Sequence, residues 1–123
     1  MEADDYDAAV VFYRDILGLV QEEAYDDGDA RVVILGAGRA TLEIVNAQQK
    51  ALIDDVEVGR PVAPRLRVAF EVSDTPAVTQ DLADGGAQVV APPTTTPWNS
   101  VNARLDAPAG LHITVFQELD ADA

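Results

Sequence analysis

The sequence contains one pattern twice: a helix followed by three short strands separated by turn residues. In the second copy a further strand comes before the helix, so this half is β-α-β-β-β, whereas the first half is α-β-β-β. The predicted strands cover 19–25, 31–35, 40–46, 66–72, 88–91, 99–105 and 111–117. The repeat predicts an α+β fold of two similar modules, of which the first lacks its opening strand.

The first predicted helix has clear signals at both ends. Asp4 and Asp5 can cap its start, and Gly18 follows at the position where helices favour a left-handed residue. Its apolar residues recur at i, i+3, i+4 and i+7 and are predicted to face the core: Ala9, Phe12, Tyr13 and Ile16. The second helix begins with Asp74 as its cap and Pro76 in its first turn.

A polar, acidic stretch over 47–64 connects the two halves and contains Gly59, Pro61 and Pro64. We expect a linker there, with at most a helical turn over 51–54. A chain of 123 residues, 48% of them hydrophobic, is long enough for one core. The prediction is a single domain, 1–123, with module one at 1–46, the linker at 47–64 and module two at 65–119.

The amino-acid composition argues against several kinds of site and partner. The chain has no cysteine, which excludes disulfides, thiolate metal sites and cysteine nucleophiles. It shows neither an apolar run of about 20 residues nor a basic-then-apolar leader, so no membrane partner and a cytoplasmic location are expected. A net charge of -14 argues against nucleic acid as a partner, because a phosphate backbone would be repelled. The same acidity also suits a merely solvated surface.

Four segments of the sequence resemble motifs of a known protein family. Residues 12–19, FYRDILGL, resemble the F-Y-x-x-x-L-G signature of the vicinal-oxygen-chelate superfamily, the glyoxalase, bleomycin-resistance and extradiol-dioxygenase proteins. Leu42-Glu43-Ile44 resembles its first metal-bearing strand, 68–72 the strand that opens its second module, and Pro108-Ala109-Gly110 its D-P-x-G turn. The resemblance implies two paired β-α-β-β-β modules that form a curled, incomplete barrel around a small molecule or a metal ion.

Catalytic members of that family hold a divalent metal with four side chains. The resemblance places the second ligand at Glu43, the third at Arg67 and the fourth at Thr114, while the first would lie before Met1. An arginine has no lone pair for a metal, and threonine is a poor substitute for a carboxylate. We therefore expect no bound metal and no other cofactor.

The same positions suggest a pair of side chains. If the modules pair as the resemblance implies, Glu43 and Arg67 project into one cavity, within hydrogen-bond reach of each other. Such a pair would either anchor a polar or anionic ligand or simply fill the vacated metal site as a buried ion pair. Both readings are open.

His112, the only histidine, is predicted on the cavity face with Thr114 and Phe116, since strand residues alternate between faces. Three roles are open for it: an exposed or rim residue, which is favoured, a ligand-contacting donor, or a catalytic group. Trp98 is either an aromatic wall for a planar ligand or a core or dimer-interface residue. Asn102 and Arg104 lie two residues apart on one predicted strand and therefore share a face. The sequence does not determine which of the two faces that is, because a shift of the strand by one residue exchanges them.

Three functions compete. The leading hypothesis is a metal-free small-molecule-binding protein of the bleomycin-resistance type, because most metal ligands are missing. Its rivals are a metal-dependent lyase, isomerase or dioxygenase-like enzyme and a structural or regulatory dimer with a vestigial cavity. A homodimer is expected in any case, since sheet edges invite a second chain. The missing first strand is expected to lie upstream of Met1 or to be replaced by a second chain or a neighbouring loop. The ligand's identity cannot be derived from the sequence.

Overall fold

The computed structural model describes residues 1–119, which form two compact units, Met1–Ile53 and a second that begins at Asp54. The first unit contains a three-stranded sheet and the second a four-stranded sheet. The predicted α+β class and the predicted order of helices and strands are confirmed. Each helix among residues 1–119 is too short or too polar to traverse a lipid bilayer.

The first helix starts as predicted and then changes its winding. Helix α1 spans Tyr6–Val10, and the Asp5 carboxylate caps it by accepting a hydrogen bond of 3.0 Å from the Ala8 amide. The chain continues as a π-helix over Val11–Ile16, and Gly18 follows with φ +91°. The end signals in the sequence were therefore interpreted correctly.

The predicted core face of this helix is confirmed at Ala9 and Tyr13, which pack against the core, and is wrong at Phe12 and Ile16. Val10 is buried, whereas Phe12 is exposed and Ile16 is 71% exposed. The cause is the π-helical hydrogen bonding, in which the Leu17 amide bonds to the Phe12 carbonyl at 2.9 Å. Because this winding advances the chain by a different angle per residue, an apolar pattern with a period of 3.6 does not stay on one side.

The first sheet is an antiparallel meander with β2 in the centre. Its strands are β1 (Val20–Asp27), β2 (Ala30–Ala37) and β3 (Ala40–Val45), in the order β1-β2-β3. The core of the unit consists of four buried residues: Val10, Val33, Leu35 and Ile44. Tyr6 packs against this cluster and lies under the Arg31 guanidinium, 4.4 Å from the ring centre, which ties the helix to β2.

Residues 1–3 lie beside β3 in the direction that an opening strand would take. Glu2 bridges Val45 in parallel, the Ala3 amide donates to the Val45 carbonyl, and the Val45 amide donates to the Met1 carbonyl, both at 2.9 Å. Residues 1–3 therefore align with the end of that strand, as the repeat predicted. What fills the rest of its place stays a prediction.

The linker contains a full helix, α2 (Ala47–Glu57), where only a helical turn was predicted. Asn46 supplies the missing signal, because its side-chain oxygen accepts hydrogen bonds from the amides of Gln49 at 2.9 Å and Arg31 at 3.0 Å. Gly59, with φ +87°, follows the helix and donates its amide to the Asp54 carbonyl at 2.9 Å.

The second unit has the complete β-α-β-β-β order. It comprises β4 (Val68–Glu71), α3 (Thr75–Asp84), β5 (Gln88–Thr95), β6 (Ser100–Ala107) and β7 (Leu111–Glu118). The sheet order is β4-β7-β6-β5, with β4 parallel to β7. Asp74 caps α3 as predicted, accepting from the Ala77 amide at 3.0 Å.

The Pro92-Pro93 pair lies inside β5, where a loop was predicted. The sheet tolerates it because β5 is an edge strand and its pairing with β6 is irregular between Ala91 and Thr94.

Alternation along β6 and β7 separates an apolar face from a polar one. Ala103, Leu105, Ile113 and Val115 form the core of the unit and pack against Val78 and Leu82 of α3. Because strand residues alternate, the even-numbered residues of these strands point to the opposite face.

Replacing Ile44 by alanine tests the first core. Ile44 is fully buried, and we expect Ile44→Ala to lower the free energy of unfolding by about 2–5 kcal/mol in denaturant titration. Ile16→Ala serves as a control at an exposed position and should change it by less than about 0.5 kcal/mol. Equal effects of the two substitutions would contradict this packing.

Candidate functional site

The polar face of the second sheet carries a row of hydrogen-bonding side chains. On β6 these are Ser100, Asn102, Arg104 and Asp106, and on β7 they are His112 and Thr114. Arg104 lies opposite Thr114 and Asp106 lies opposite His112 in the antiparallel pairing. All of them except Asp106 are buried, so their hydrogen-bonding groups need partners within the protein.

Arg104 is the centre of this row and is 0% exposed. Its Nε donates to Glu57 Oε1 at 2.7 Å, and its Nη1 donates to Asp54 Oδ1 at 3.0 Å. Both carboxylates belong to the last turns of α2 and are buried. Because an arginine stays charged, these two anions are what make its burial tolerable. Its Nη2 has no hydrogen-bond partner within residues 1–119.

Asp54 also binds the backbone of the segment that follows α2. While Oδ1 accepts from Arg104, Oδ2 accepts from the backbone amides of Val62 and Ala63, each at 3.1 Å. The carboxylate therefore holds the segment that follows α2 in place. That segment forms one wall of the cavity described below.

His112 lies between a cation and an anion. Its Nε2 is 3.2 Å from Arg104 Nη1, and its Nδ1 is 2.9 Å from Asp106 Oδ1. An arginine can only donate, so Nε2 must be the acceptor and Nδ1 must carry the proton donated to Asp106. Both ring nitrogens of the neutral imidazole are therefore occupied.

A chain of hydrogen bonds continues from Glu57 to the start of β6. Asn102 Nδ2 donates to Glu57 Oε2 at 3.0 Å, and Ser100 Oγ donates to Asn102 Oδ1 at 2.7 Å. The hydroxyls of Thr96 and Ser100 are 2.8 Å apart. This chain saturates the buried polar face away from the His112 end.

At the His112 end the polar face borders a cavity of about 290 Å³. Asp106 and His112 line it together with Val90 of β5 and the segment after α2: Arg60, Pro61 and Val62. This cavity combines one cation, one anion and one imidazole with three apolar side chains. Such a mixture is typical of small-molecule sites.

The sequence matches the family model of the Glyoxalase/Bleomycin resistance protein/Dioxygenase superfamily over residues 2–115. The chain belongs to this superfamily. The resemblance seen in the sequence is thereby confirmed, although no curated protein matches the chain significantly.

Several solved structures show the same fold. A hypothetical protein of Bacillus halodurans aligns with a TM-score of 0.71 at 14% identity, covering 97% of this chain and 90% of its own. Methylmalonyl-CoA epimerase of Mycobacterium tuberculosis gives 0.68 at 20% identity, with 99% and 87% covered. That of Streptomyces coelicolor, in complex with 2-nitronate-propionyl-CoA, gives 0.66 at 20% identity, with 97% and 93% covered. At these identities the similarity shows the fold alone.

The superfamily's metal positions in the second unit do not fit a metal. Arg67 Nη1 donates a hydrogen bond to Thr114 Oγ1, so the third and fourth ligand positions are joined by a guanidinium. A permanent cation without a lone pair opposes a divalent ion. Within the part of the chain that the structure describes, no three histidine, aspartate or glutamate side chains are grouped to hold one.

The predicted site residues are distributed over both units. Arg67, Thr114 and His112 lie in the second unit. His112 is buried and lines the cavity, so of its favoured assignment as an exposed or rim residue the exposed alternative is wrong. Phe116 is half-buried on β7, and Trp98 is 45% exposed in the turn before β6. Glu43 is exposed on β3 in the first unit, so its pairing with Arg67 stays a prediction.

Sequence reasoning missed Asp54, Glu57, Arg60 and Asp106. Asp54 and Glu57 are spaced i, i+3 and therefore share a helix face, but this signal requires the helix that was predicted only as a turn. The sequence left open which face of its strand Arg104 lies on. Because Ala103 and Leu105 pack on the side of α3, Arg104 lies on the opposite face.

Removing the central guanidinium tests this network. Arg104→Met leaves two buried carboxylates without their cation, and we expect the free energy of unfolding to fall by about 3–5 kcal/mol. Arg14→Met, which removes an exposed ion pair with Asp15, is the matched control and should lower the free energy of unfolding far less.

If Arg104→Met does not fold, the triple variant that adds Asp54→Asn and Glu57→Gln should restore folding, because it removes the stranded charges. Denaturation midpoints from circular dichroism measure both effects. Equal midpoints for Arg104→Met and Arg14→Met would show that the buried network does not stabilise this unit.

Proposed function

We propose that the protein binds a small molecule in the cavity beside His112 and does so without a divalent metal. The observation that carries this proposal is that the buried side chains of the polar face bond to one another, whereas the charged groups of the cavity, Arg60 and Asp106, retain unused hydrogen-bonding capacity. The site therefore offers hydrogen-bonding contacts to a ligand.

The state of His112 supports binding over proton transfer. A general base needs a free lone pair within reach of its substrate. The lone pair on His112 Nε2 is directed at Arg104 Nη1, which is itself fixed by Asp54. Using the imidazole as a base would break this contact and place two cations next to each other in a buried site.

The rival function is a metal-dependent lyase or isomerase; two of the structurally similar proteins are methylmalonyl-CoA epimerases. The bond from Arg67 to Thr114 counts against it, since it puts a positive charge where the second module would supply metal ligands. The homodimer and the cytoplasmic location expected from the sequence stay predictions.

A thermal-shift screen with a matched pair of variants tests the binding site. Val90 lines the cavity, whereas its neighbour Val89 is exposed and does not. Compounds that raise the melting temperature of the unmodified protein should lose this effect in Val90→Phe, which fills the cavity, and keep it in Val89→Phe. A ligand at 100 times its Kd stabilises by about 2.7 kcal/mol, which is readily measured.

Elemental analysis of the same purified protein distinguishes a metal-free binding protein from a metalloenzyme. We expect less than a stoichiometric amount of Zn, Ni, Mn and Fe. One equivalent of any of them, lost on replacing Glu43 by alanine, would contradict the proposal. So would compounds whose stabilising effect survives Val90→Phe unchanged.

A further inference from the structure

We propose that the ligand of this cavity is a small zwitterion, with a carboxylate held by Arg60 and an amino group held by Asp106. The inference rests on the proposed binding function and names the chemical class of its ligand. It follows from how the two charges of the cavity are placed and from what each of them leaves unbonded.

Arg60 is an exposed arginine with no ion pair or hydrogen bond to its side chain among residues 1–119. Other arginines of the chain are engaged: Arg14 with Asp15, Arg31 with Asp7 and Asp26, and Arg104 with Asp54 and Glu57. In a chain with 22 acidic and 8 basic residues, Arg60 lacks an acidic partner and lines the cavity, whereas Arg39, which also has no partner among residues 1–119, does not line it. Its planar donors match a carboxylate in two parallel hydrogen bonds.

Asp106 offers the complementary charge. Its Oδ1 accepts from His112 Nδ1, while its other oxygen has no partner within the described residues, and its side chain is 57% exposed. The bond from His112 fixes the orientation of the carboxylate. The remaining oxygen can accept a hydrogen bond from an ammonium group.

Arg60 and Asp106 line the same cavity, yet they form no ion pair with each other in the described part of the chain. The backbone hydrogen bonds from Val62 and Ala63 to Asp54 hold the segment next to Arg60, and His112 holds Asp106. Opposite charges that line one cavity without pairing, of which Asp106 is oriented by His112, are complementary to a ligand that bears both charges. Pro61, Val62 and Val90 provide contacts for a short apolar body.

Net charge favours a zwitterion over a simple anion. At a formal charge of -14 the protein repels anions at long range, whereas a molecule with no net charge approaches without this penalty. A simple cation would be attracted to the protein but would meet Arg60 inside the cavity. The volume of about 290 Å³ lies near the lower limit of small-molecule pockets and suits a short ligand.

Three compounds with the same branched apolar end test the inference: valine, 3-methylbutanoate, which lacks the amino group, and 2-methylpropylamine, which lacks the carboxylate. Titrations followed by amide NMR should show valine binding with shifts at Val90 and His112. Each of the other two should bind at least about tenfold more weakly, because each leaves one charged hydrogen bond unmade.

Variants assign the two contacts. Arg60→Gln should weaken valine at least about tenfold while leaving 2-methylpropylamine unchanged or improved, and Asp106→Asn should weaken valine while sparing 3-methylbutanoate. Arg39→Gln is the charge-matched control, since Arg39 is an exposed arginine of the β2–β3 turn that does not line the cavity, and it should leave valine affinity unchanged.

Equal affinity of valine for the unmodified protein and for Arg60→Gln would overturn the zwitterion assignment, and so would the absence of any valine binding. If other compounds from the screen then bind in a manner that Val90→Phe abolishes, the binding function stands and only the ligand class is wrong. If none does, both fail.

Discussion

The organisation of the second unit depends on the burial of one guanidinium. Arg104 lies on the polar face of the sheet with no solvent exposure, and its charge is balanced by Asp54 and Glu57 from the end of α2. These bonds tie a helix to the middle of a sheet by charge and geometry. Because an unpaired buried charge is so costly, the three side chains must fold as one group.

Other features of the site follow from this group. Asp54 extends it to the amides of Val62 and Ala63 and so positions the cavity wall. Arg104 extends it to His112, whose orientation then fixes Asp106. The cavity therefore lies where the internal network ends, and His112, which lines it, orients the Asp106 carboxylate.

The hydrogen bond from Arg67 to Thr114 supports the proposal that the protein works without a metal. The family resemblance implies metal ligands at these two positions, and here they hold a guanidinium bonded to a hydroxyl. Such a pair offers none of the open coordination positions that metal-assisted catalysis requires. Hydrogen-bonded recognition remains, which is what the proposed function uses.

Much of the fold could be predicted because its signals are local. Asp5, Gly18 and Asp74 act at the helix ends where the sequence placed them. The exposure of Ile16 could not be predicted, since it results from π-helical winding, which the pattern of apolar residues does not reveal. The Arg104 cluster could not be predicted either, because its partners come from α2, which was read as a linker, and lie about 50 residues away in the chain.

The protonation of His112 tests this account most directly, and the chain has only one histidine, so its signals need no assignment by mutation. Long-range nitrogen–carbon NMR correlations at neutral pH distinguish the two neutral tautomers from the imidazolium. The account predicts a neutral ring with the proton on Nδ1 and an unprotonated Nε2, as the bonds to Asp106 and Arg104 require. A proton on Nε2, whether in the other neutral tautomer or in the imidazolium, would contradict it.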